Sequence, residues 1–399
     1  MRAIDEGKNS IVGVRIDNKS ISQQRKVQPI FGRSLIAGLL LILIALIFIC
    51  GCSNDSNGDF HDGVISPRLS NDNKEIIFGY CSGTRRDTKC DLVIYQIATQ
   101  KMYRFNPTGN ISNGSPVYSP DGKRIAFASG DTDKWGNIYL TDANGDNVKQ
   151  LTNTKITKKI SNNKDVDLSF DAMPSFSPDG KRIIFMRAAV RRERAYPLSG
   201  TMLCDWDAFE VNIKTGVERR LTNYAFYEMS KPSYLPDGKK FIFSAIGPKD
   251  TTGQEPFTAG EYKKRYRDNQ IFIMDGEKNI LKPAFVNGWY SADPSVSRDG
   301  DILFSSVTNE MDGLKRNTYN YDLFIYKNGQ IKRITKMEAY MKESFMSCDG
   351  SLAMFLADTN MPRNLMKVNL WIVNTDGTGL RKIELPWEKI RKAKIHTFN

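Results

Sequence analysis

Histidine is nearly absent from this chain of 399 residues, which contains only His61 and His396. Such scarcity argues against a histidine-built zinc site, a Ser-His-Asp triad and a Cys-His pair. Six cysteines are too few for a disulfide scaffold. The sequence also contains no G-x-S-x-G, the motif that presents the nucleophile of α/β-hydrolases. We therefore expect a protein that is not an enzyme and that holds neither a cofactor nor a metal.

The overall composition is that of a globular protein. Hydrophobic residues make up 40% of the chain, charged residues 26% and aromatic residues 11%. These fractions exclude disorder and collagen, and they allow a sizeable core. The formal net charge of +12 favours anionic partners but says nothing about the fold.

The N-terminal region contains an export signal. Residues 35–49 form an apolar run of fifteen, shorter than the ~20 residues of a membrane-spanning helix and suited to a signal peptide. The run ends in Ile49-Cys50-Gly51-Cys52, which resembles the bacterial lipobox. That resemblance implies a signal peptide over residues 1–51, a lipid on Cys52 and a polar tether over residues 52–63. An uncleaved signal anchor is the alternative, and both place the remaining chain outside the cytoplasm.

Internal repetition determines the predicted fold. The phrase YSPDGKRIAF at residues 118–127 returns as FSPDGKRIIF and YLPDGKKFIF, and three weaker copies follow the same pattern. Spacings of 49 to 62 residues suit propeller blades better than short solenoid repeats. The turn aspartates of the six copies are Asp72, Asp121, Asp179, Asp237, Asp299 and Asp349.

Each repeat carries the same sequence of elements. A short strand precedes the Pro-Asp-Gly turn, and an apolar second strand follows it. A third strand with alternating polarity, such as NIYLTD at residues 137–142, leads through a turn to a short ending such as VKQLT. We therefore predict an all-β fold over residues 64–386, a six-bladed β-propeller of four-stranded antiparallel blades. Residues 387–399 remain as a basic tail, and either residues 60–64 or this tail could add to an edge.

These motifs resemble the TolB-type, WD40-like (PD40) propeller repeat. The resemblance rests on the SPDGK phrase, the aromatic third strand and the L-T ending, and it covers about residues 64–385. It implies the propeller alone, because only about a dozen residues separate Cys52 from the first blade, whereas TolB carries an α/β domain there. Membership of a Tol-like system is left open.

Long insertions lie on one predicted face of the propeller. They connect second and third strands or successive blades, as in Arg187–Asp205 and Gly247–Asn269, while the Pro-Asp-Gly turns of the other face are short. Loops carry recognition on most scaffolds, so this loop face is the predicted binding surface. Its basic and aromatic side chains suit an acidic protein or glycan, and the alternative is a solvated loop surface. The candidates are Arg191, Arg192, Arg194, Lys263, Lys264, Arg265, Tyr262 and Tyr266.

Carboxylates recur just ahead of the first strands. Asp171, Glu228 and Asp293 each stand at or shortly before an X-Pro pair, which predicts a place around the channel mouth on the loop face. Such a ring could hold Ca²⁺ or Mg²⁺. Capping of backbone N–H groups is the alternative that we favour.

Two cysteines are positioned to pair in an oxidising compartment. Cys81 and Cys90 flank a polar loop between the second and third strands of the first blade. A hairpin brings such positions together, so we predict a disulfide.

The function predicted from these features is that of a non-enzymatic scaffold. We expect a lipoprotein of the cell envelope, on the outer membrane facing the periplasm or on the cell surface, whose loop face binds a protein or an acidic glycan. Nucleic acid is not expected as a partner. The alternatives are a lyase-like propeller enzyme that acts on acidic polysaccharide and an uncleaved, membrane-anchored sensor subunit. A prolyl oligopeptidase-type enzyme would need a separate hydrolase domain, for which residues 386–399 are too few.

Overall fold

The described part of the chain is built almost entirely of β-strands. In the computed structural model it comprises residues 61–84, 87–131, 134–154, 157–161, 164–190, 204–226, 228–247, 269–285, 290–308, 320–359 and 368–397. Over these ranges the fold is all-β and propeller-like, made of antiparallel sheets that mostly contain four strands.

The first sheet contains nine strands and includes the last strand of the chain. The strand order is β1-β2-β3-β5-β6-β7-β8, with β4 paired to β3. A single parallel pair, Cys90 with Ser112, joins β3 to β5. The strands are β1 (His61–Leu69), β2 (Glu75–Thr84), β3 (Asp87–Gln96), β4 (Met102–Asn106), β5 (Ser112–Tyr118), β6 (Arg124–Asp131), β7 (Lys134–Asp142), β8 (Lys149–Gln150) and β26 (Ile395–Thr397).

The remaining sheets follow one another along the chain in antiparallel order. The five-stranded sheet has β9 (Thr157–Ser161), β10 (Lys164–Phe176), β11 (Arg182–Val190), β12 (Cys204–Asn212) and β13 (Glu218–Arg220). Two four-stranded sheets have β14 (Glu228–Tyr234), β15 (Lys240–Ile246), β16 (Gln270–Asp275) and β17 (Ile280–Pro283), and then β18 (Ser291–Val296), β19 (Ile302–Val307), β20 (Tyr321–Lys327) and β21 (Gln330–Arg333). The last has β22 (Tyr340–Met346), β23 (Leu352–Asp358), β24 (Asn369–Asn374) and β25 (Arg381–Ile383).

We call the six turns that contain Asp72, Asp121, Asp179, Asp237, Asp299 and Asp349 the Pro-Asp-Gly turns, although only three of them contain proline. The strands that precede these turns form a closed circle. In chain order β1, β5, β10, β14, β18 and β22 each contact the next, and β22 contacts β1. We call these six strands the ring strands. Neighbouring turns contact one another around the circle, as where Asn71 Nδ2 donates to the Ser119 carbonyl and the Arg298 N–H donates to the Cys348 carbonyl, so these turns lie at one end of it. The second strands end, and the third strands begin, at the other end.

Serine and aspartate build the turn from their own side chains. In the second copy, Ser119 Oγ donates to Asp121 Oδ1 (2.5 Å), and the same carboxylate accepts from the Lys123 N–H (3.1 Å). These bonds lower the pKa of Asp121. Gly122 adopts φ 71°, a conformation that favours glycine. The same serine–aspartate bond recurs at Asp72, Asp179 and Asp349, so in these copies the repeated phrase encodes turn geometry.

The phenylalanine that ends each repeated phrase anchors the core. It lies on the second strand of each copy, and its side chain is fully buried in all six. Burial of one such ring contributes about 2–3 kcal/mol to folding. The six are Phe78, Phe127, Phe185, Phe243, Phe304 and Phe355.

The L-T endings tie the fourth strand to the third. Thr222 Oγ1 donates to the buried Asp207 carboxylate (2.6 Å) and accepts from the Ala208 N–H (2.9 Å). Arg220 Nη2 donates to the other Asp207 oxygen (2.6 Å). Thr335 and Asp322 repeat this arrangement. Asp207 and Asp322, near the beginning of their third strands, therefore have a structural role.

The end of the chain returns to the first sheet. Helix α1 (Trp387–Lys392) leads to β26, which pairs in parallel with β4. Arg104 of β4 forms a buried ion pair with Asp91 (2.7 Å) and donates to the carbonyls of Ile390 and Arg391. The basic tail thus adds to an edge and links the last strands to the first.

Candidate functional site

Each ring strand is interrupted by the same irregularity. The pairing register shifts by a β-bulge in the middle of every ring strand, as between Ser230 and Ser233 of β14. One residue of each bulge has positive φ without being glycine, and in five strands proline follows it. Strained backbone of this kind often accompanies function. The six residues are Ser66, Ser115, Met173, Lys231, Asp293 and Glu343.

The bulges bring charged side chains from different strands together. Lys231 Nζ lies 3.4 Å from Asp293 Oδ1 and donates to the Ser344 carbonyl (3.0 Å). Asp293 Oδ2 accepts from the Glu343 N–H (2.6 Å), and Glu343 Oε2 accepts from the Ser66 N–H. The contacts join β14, β18, β22 and β1, so these groups span the circle of ring strands.

Arg68 completes this group from β1. Its guanidinium lies over the ring of Phe345, two residues beyond the β22 bulge. Arg68, Lys231, Asp293 and Glu343 form what we call the central charge cluster, with two positive and two negative charges. The side chain of Asp293 is 15% exposed, and the other three residues are at least nine-tenths buried.

Some buried polar atoms of the central charge cluster lack hydrogen-bond partners in the described part of the chain. Buried atoms Nε and Nη1 of Arg68 and Oε1 of Glu343 have no hydrogen-bond partner among the described residues. Burial lowers the pKa of Lys231 to about 8 and that of Arg68 to about 9, although Asp293 and Glu343 oppose both shifts. A buried polar atom without a partner costs roughly 1–3 kcal/mol, more when charged. The arrangement therefore suits a ligand or partner group that accepts from Arg68 and donates to Glu343.

The three predicted channel-mouth carboxylates lie on three ring strands, β10, β14 and β18. Asp293 belongs to the central charge cluster. Asp171 lies in β10, fully buried, where Arg187 Nε and Nη2 donate to its two oxygens (2.6 and 2.8 Å). Burial raises the pKa of Asp171, and the Arg187 contact offsets the shift. Glu228 is the first residue of β14. Among the described residues, no group of three or more His, Cys, Asp or Glu is placed to hold a metal ion.

Sequence reasoning missed three members of the central charge cluster, Arg68, Lys231 and Glu343. A signal was present: Lys231-Pro232 and Asp293-Pro294 place a charge directly before the proline of a strand that otherwise reads as buried. Arg187, which was assigned to an insertion, lies in β11, and the connection from Val190 to Cys204 is shorter than the predicted Arg187–Asp205.

The predicted loop-face residues lie outside the described residues. These are Arg191, Arg192, Arg194, Tyr262, Lys263, Lys264, Arg265 and Tyr266. Cys52 and the apolar run at residues 35–49 also lie outside them. Within the described ranges there is no helix long and apolar enough to cross a membrane.

Two cysteines of the first sheet are joined. Cys81 of β2 and Cys90 of β3 stand opposite each other and form a disulfide, with Cα atoms 4.0 Å apart. Both are buried, and Ile65 of β1 packs with them. Cys348 is an exposed free thiol in the last Asp-Gly turn.

Comparison with known proteins shows relatives for part of the chain. A family model described as the dipeptidyl peptidase IV (DPP IV) N-terminal region matches residues 70–200. The Tol-Pal system protein TolB of Francisella tularensis subsp. mediasiatica is 30% identical over 196 residues, which covers 40% of this chain and 41% of the relative. The chain therefore spans about two fifths of the length of that curated relative.

Solved structures share the fold at lower sequence identity. TolB from Acinetobacter baumannii has a TM-score of 0.51 and 21% identity, with 89% of this chain and 71% of that chain covered. An oligogalacturonate lyase from Vibrio parahaemolyticus has a TM-score of 0.47 and 13% identity, with 83% and 82% covered, a similarity too distant to indicate function. The chain thus has a propeller-like fold and, over part of its length, is homologous to TolB.

Proposed function

We propose that this protein is a non-enzymatic binding module of the cell envelope that holds a protein partner at the centre of its propeller. The observation that carries this proposal is the central charge cluster, whose Arg68 and Glu343 keep buried polar atoms without partners among the described residues. A partner group that enters from the loop face would satisfy them. Partial homology to a protein named for the Tol-Pal system supports an envelope role.

The propeller of this proposal has six blades over residues 64–386. The nine-stranded sheet divides naturally between β3 and β5, which share one register pair. Division there leaves β1–β4 and β5–β8 as separate four-stranded units, each with its own ring strand. Each of the other four ring strands belongs to one of the remaining four sheets, with β9 as an additional edge strand beside β10, which supports a count of six. The tail over residues 387–399 adds to the outer edge of the first unit.

The membrane attachment belongs to the same proposal. Residues 1–51 act as a lipoprotein signal, and Cys52 carries the lipid at the start of a tether over residues 52–63. The support is the sequence Ile49-Cys50-Gly51-Cys52 after a fifteen-residue apolar run. Anchoring to the outer membrane, facing the periplasm, or at the cell surface would hold the propeller near envelope proteins and acidic glycans.

The rim of the binding surface is formed by the basic and aromatic loop residues. The last residue of β11 and the first residue of β16 lie at the end opposite the Pro-Asp-Gly turns, which supports the proposal that Arg191, Arg194 and Lys264 of the adjoining insertions act there. The basic rim would attract an acidic partner before the central charge cluster engages it. An acidic glycan could use the same rim.

Site-specific crosslinking in intact cells tests this placement. A photoreactive amino acid at position 191 or 264 should crosslink to a partner that mass spectrometry then identifies. The same amino acid at Lys181 or Lys239, beside the Pro-Asp-Gly turns, is the matched control. Partner adducts only at the control positions would show that the opposite face binds.

A further inference from the structure

Three junctions between successive units share an aromatic side chain at the end of a ring strand. The residues are Tyr118, Phe176 and Tyr234, which directly precede the turn serine or leucine. At two junctions an arginine from the preceding unit covers the ring. The guanidinium of Arg124 lies 5.8 Å from the Phe176 centroid, and that of Arg182 lies 5.1 Å from the Tyr234 centroid.

Both arginines make the same backbone contact. Arg124 Nη2 donates to the Gly180 carbonyl (3.0 Å), and Arg182 Nη2 donates to the Gly238 carbonyl (2.9 Å). Each arginine is the first residue of its second strand and reaches the turn glycine of the next unit. We call this arrangement of an aromatic face and a glycine carbonyl the arginine seat.

The seat of Arg182 also contains a carboxylate. Glu210 Oε2 lies 3.3 Å from Arg182 Nη1 and accepts from the Tyr234 hydroxyl. A guanidinium thus finds a ring face, a neutral acceptor and an anion at one junction. Its planar fork of donors suits such a combination.

The remaining junction, between the first and second units, has the aromatic ring and the glycine carbonyl but no arginine of its own among the described residues. Glu75 begins β2 at the position that Arg124 and Arg182 hold in their strands. Tyr118 donates to Glu75 Oε2 (3.3 Å), as Tyr234 does to Glu210. No described residue donates to the Gly122 carbonyl. Asn71 Nδ2, which lies near this turn, donates instead to the carbonyls of Ser119 and Pro120.

An open cavity of about 790 Å³ occupies this junction, against about 430 Å³ at the junction that Arg182 occupies. Glu75, Tyr118 and Gly122 line the larger cavity together with Asp72 and Asp121. Hydrogen bonds from the turns lower the pKa of both aspartates, to about 2 for Asp72. Burial raises the pKa of Tyr118, which keeps its hydroxyl protonated as a donor.

The cavity carries an excess of negative charge. Three carboxylates face one ammonium group, that of Lys74, which lies 3.2 Å from Asp72. Gln96 Nε2 donates to the second Glu75 oxygen (3.2 Å) and holds the carboxylate in place. A cationic group with several donors matches this surface better than an anion or an apolar group.

We propose that this cavity, between the first and second units, binds an arginine side chain of a protein partner. The incoming guanidinium takes the place that Arg182 fills two junctions further on. It stacks on Tyr118, donates to the Gly122 carbonyl and pairs with Glu75. The site lies at the Pro-Asp-Gly end of the ring strands, so the inference does not depend on partner capture at the central charge cluster.

Titration with short peptides tests the proposal on the full chain in detergent. The probe is an acetylated and amidated Gly-Arg-Gly peptide, and the matched control replaces arginine with the neutral isostere citrulline. At low salt the arginine peptide should bind with a Kd on the order of 1 mM, and citrulline should bind about tenfold more weakly. Equal binding of the two peptides, or none by the arginine peptide, overturns the proposal.

Two substitutions at one position locate the site. Glu75→Gln should weaken the arginine peptide about tenfold. Glu75→Arg fills the seat from within, as in the next two units, and should abolish peptide binding while thermal unfolding shows an intact fold. Glu277→Gln removes an exposed carboxylate at the smaller cavity and should leave binding unchanged. Unaltered binding in the Glu75→Arg protein would place the peptide elsewhere and refute the assignment.

Discussion

Lys231 of β14 and Asp293 of β18 face each other across neighbouring ring strands, with Nζ 3.4 Å from Oδ1. Both residues have positive φ, 51° and 54°, and proline follows each. The repeated bulge thus directs charges from successive strands into one buried space. Removing each of these charges from water costs several kcal/mol. A binding function explains this cost better than a contribution to folding stability does.

The pH dependence of stability should reveal Lys231. Its pKa is about 8 in the folded protein and 10.5 ordinarily, so between these values the unfolded chain binds more protons. Stability from this group therefore rises with pH between about 8 and 10.5, by roughly 3 kcal/mol. Denaturant unfolding of wild type and Lys231→Met at pH 7.5 and 10.5 measures it. If the difference in unfolding free energy between the two proteins were the same at both pH values, the pKa of Lys231 would not be lowered in the folded protein.

The turn glycines should resist β-branched replacement. Gly122 has φ 71°, and a Cβ atom at this position would make only an ordinary van der Waals contact, with Asn71 Nδ2 3.7 Å away. Gly122→Val should cost about 1–2 kcal/mol from backbone strain alone. Asn73 occupies the corresponding place in the first turn with φ 61°, so Gly122→Asn should cost clearly less. Urea unfolding compares the two, and equal costs would contradict the strain argument.

The tail should stabilise the first sheet through Arg104. Arg104→Met leaves the buried Asp91 without its ion partner and should cost about 3–5 kcal/mol. Adding Asp91→Asn to Arg104→Met should recover part of that loss, because the uncompensated charge disappears. Thermal unfolding measures both proteins. A double variant less stable than the single one would show that the ion pair is not the main link between tail and sheet.

Cys52 should be the lipidated residue. Cys52→Ala should abolish metabolic palmitate labelling and release the protein from the membrane fraction. Cys50→Ala, two residues earlier, is the matched control and should label normally. Persistent labelling of the Cys52→Ala protein would refute a lipoprotein anchor at this position.

Local chemistry made much of the fold predictable. Ser119 and Asp121 build their turn from neighbouring atoms, and the phenylalanine of each phrase marks a buried strand, so both features are visible in ten residues of sequence. The central charge cluster was predictable only in part. Asp293 was expected at the channel mouth, but the contacts of the cluster join residues far apart in the chain: Ser66 and Glu343 are separated by 277 positions. Glu75 stands at the position where the next two copies have arginine. The significance of Glu75 depends on the contact that Arg124 makes with the next unit, which the sequence alone does not show.

Partner capture by variants of the central charge cluster tests the proposed function most directly. Arg68→Met with Glu343→Gln removes one charge of each sign and keeps an acceptor for the Ser66 N–H. Arg104→Met with Asp91→Asn is the matched buried pair outside the ring strands. With both proteins folded and exported, we predict that crosslinked partner falls at least tenfold in the first and persists in the second. Full capture by the Arg68→Met, Glu343→Gln protein would contradict binding at this cluster.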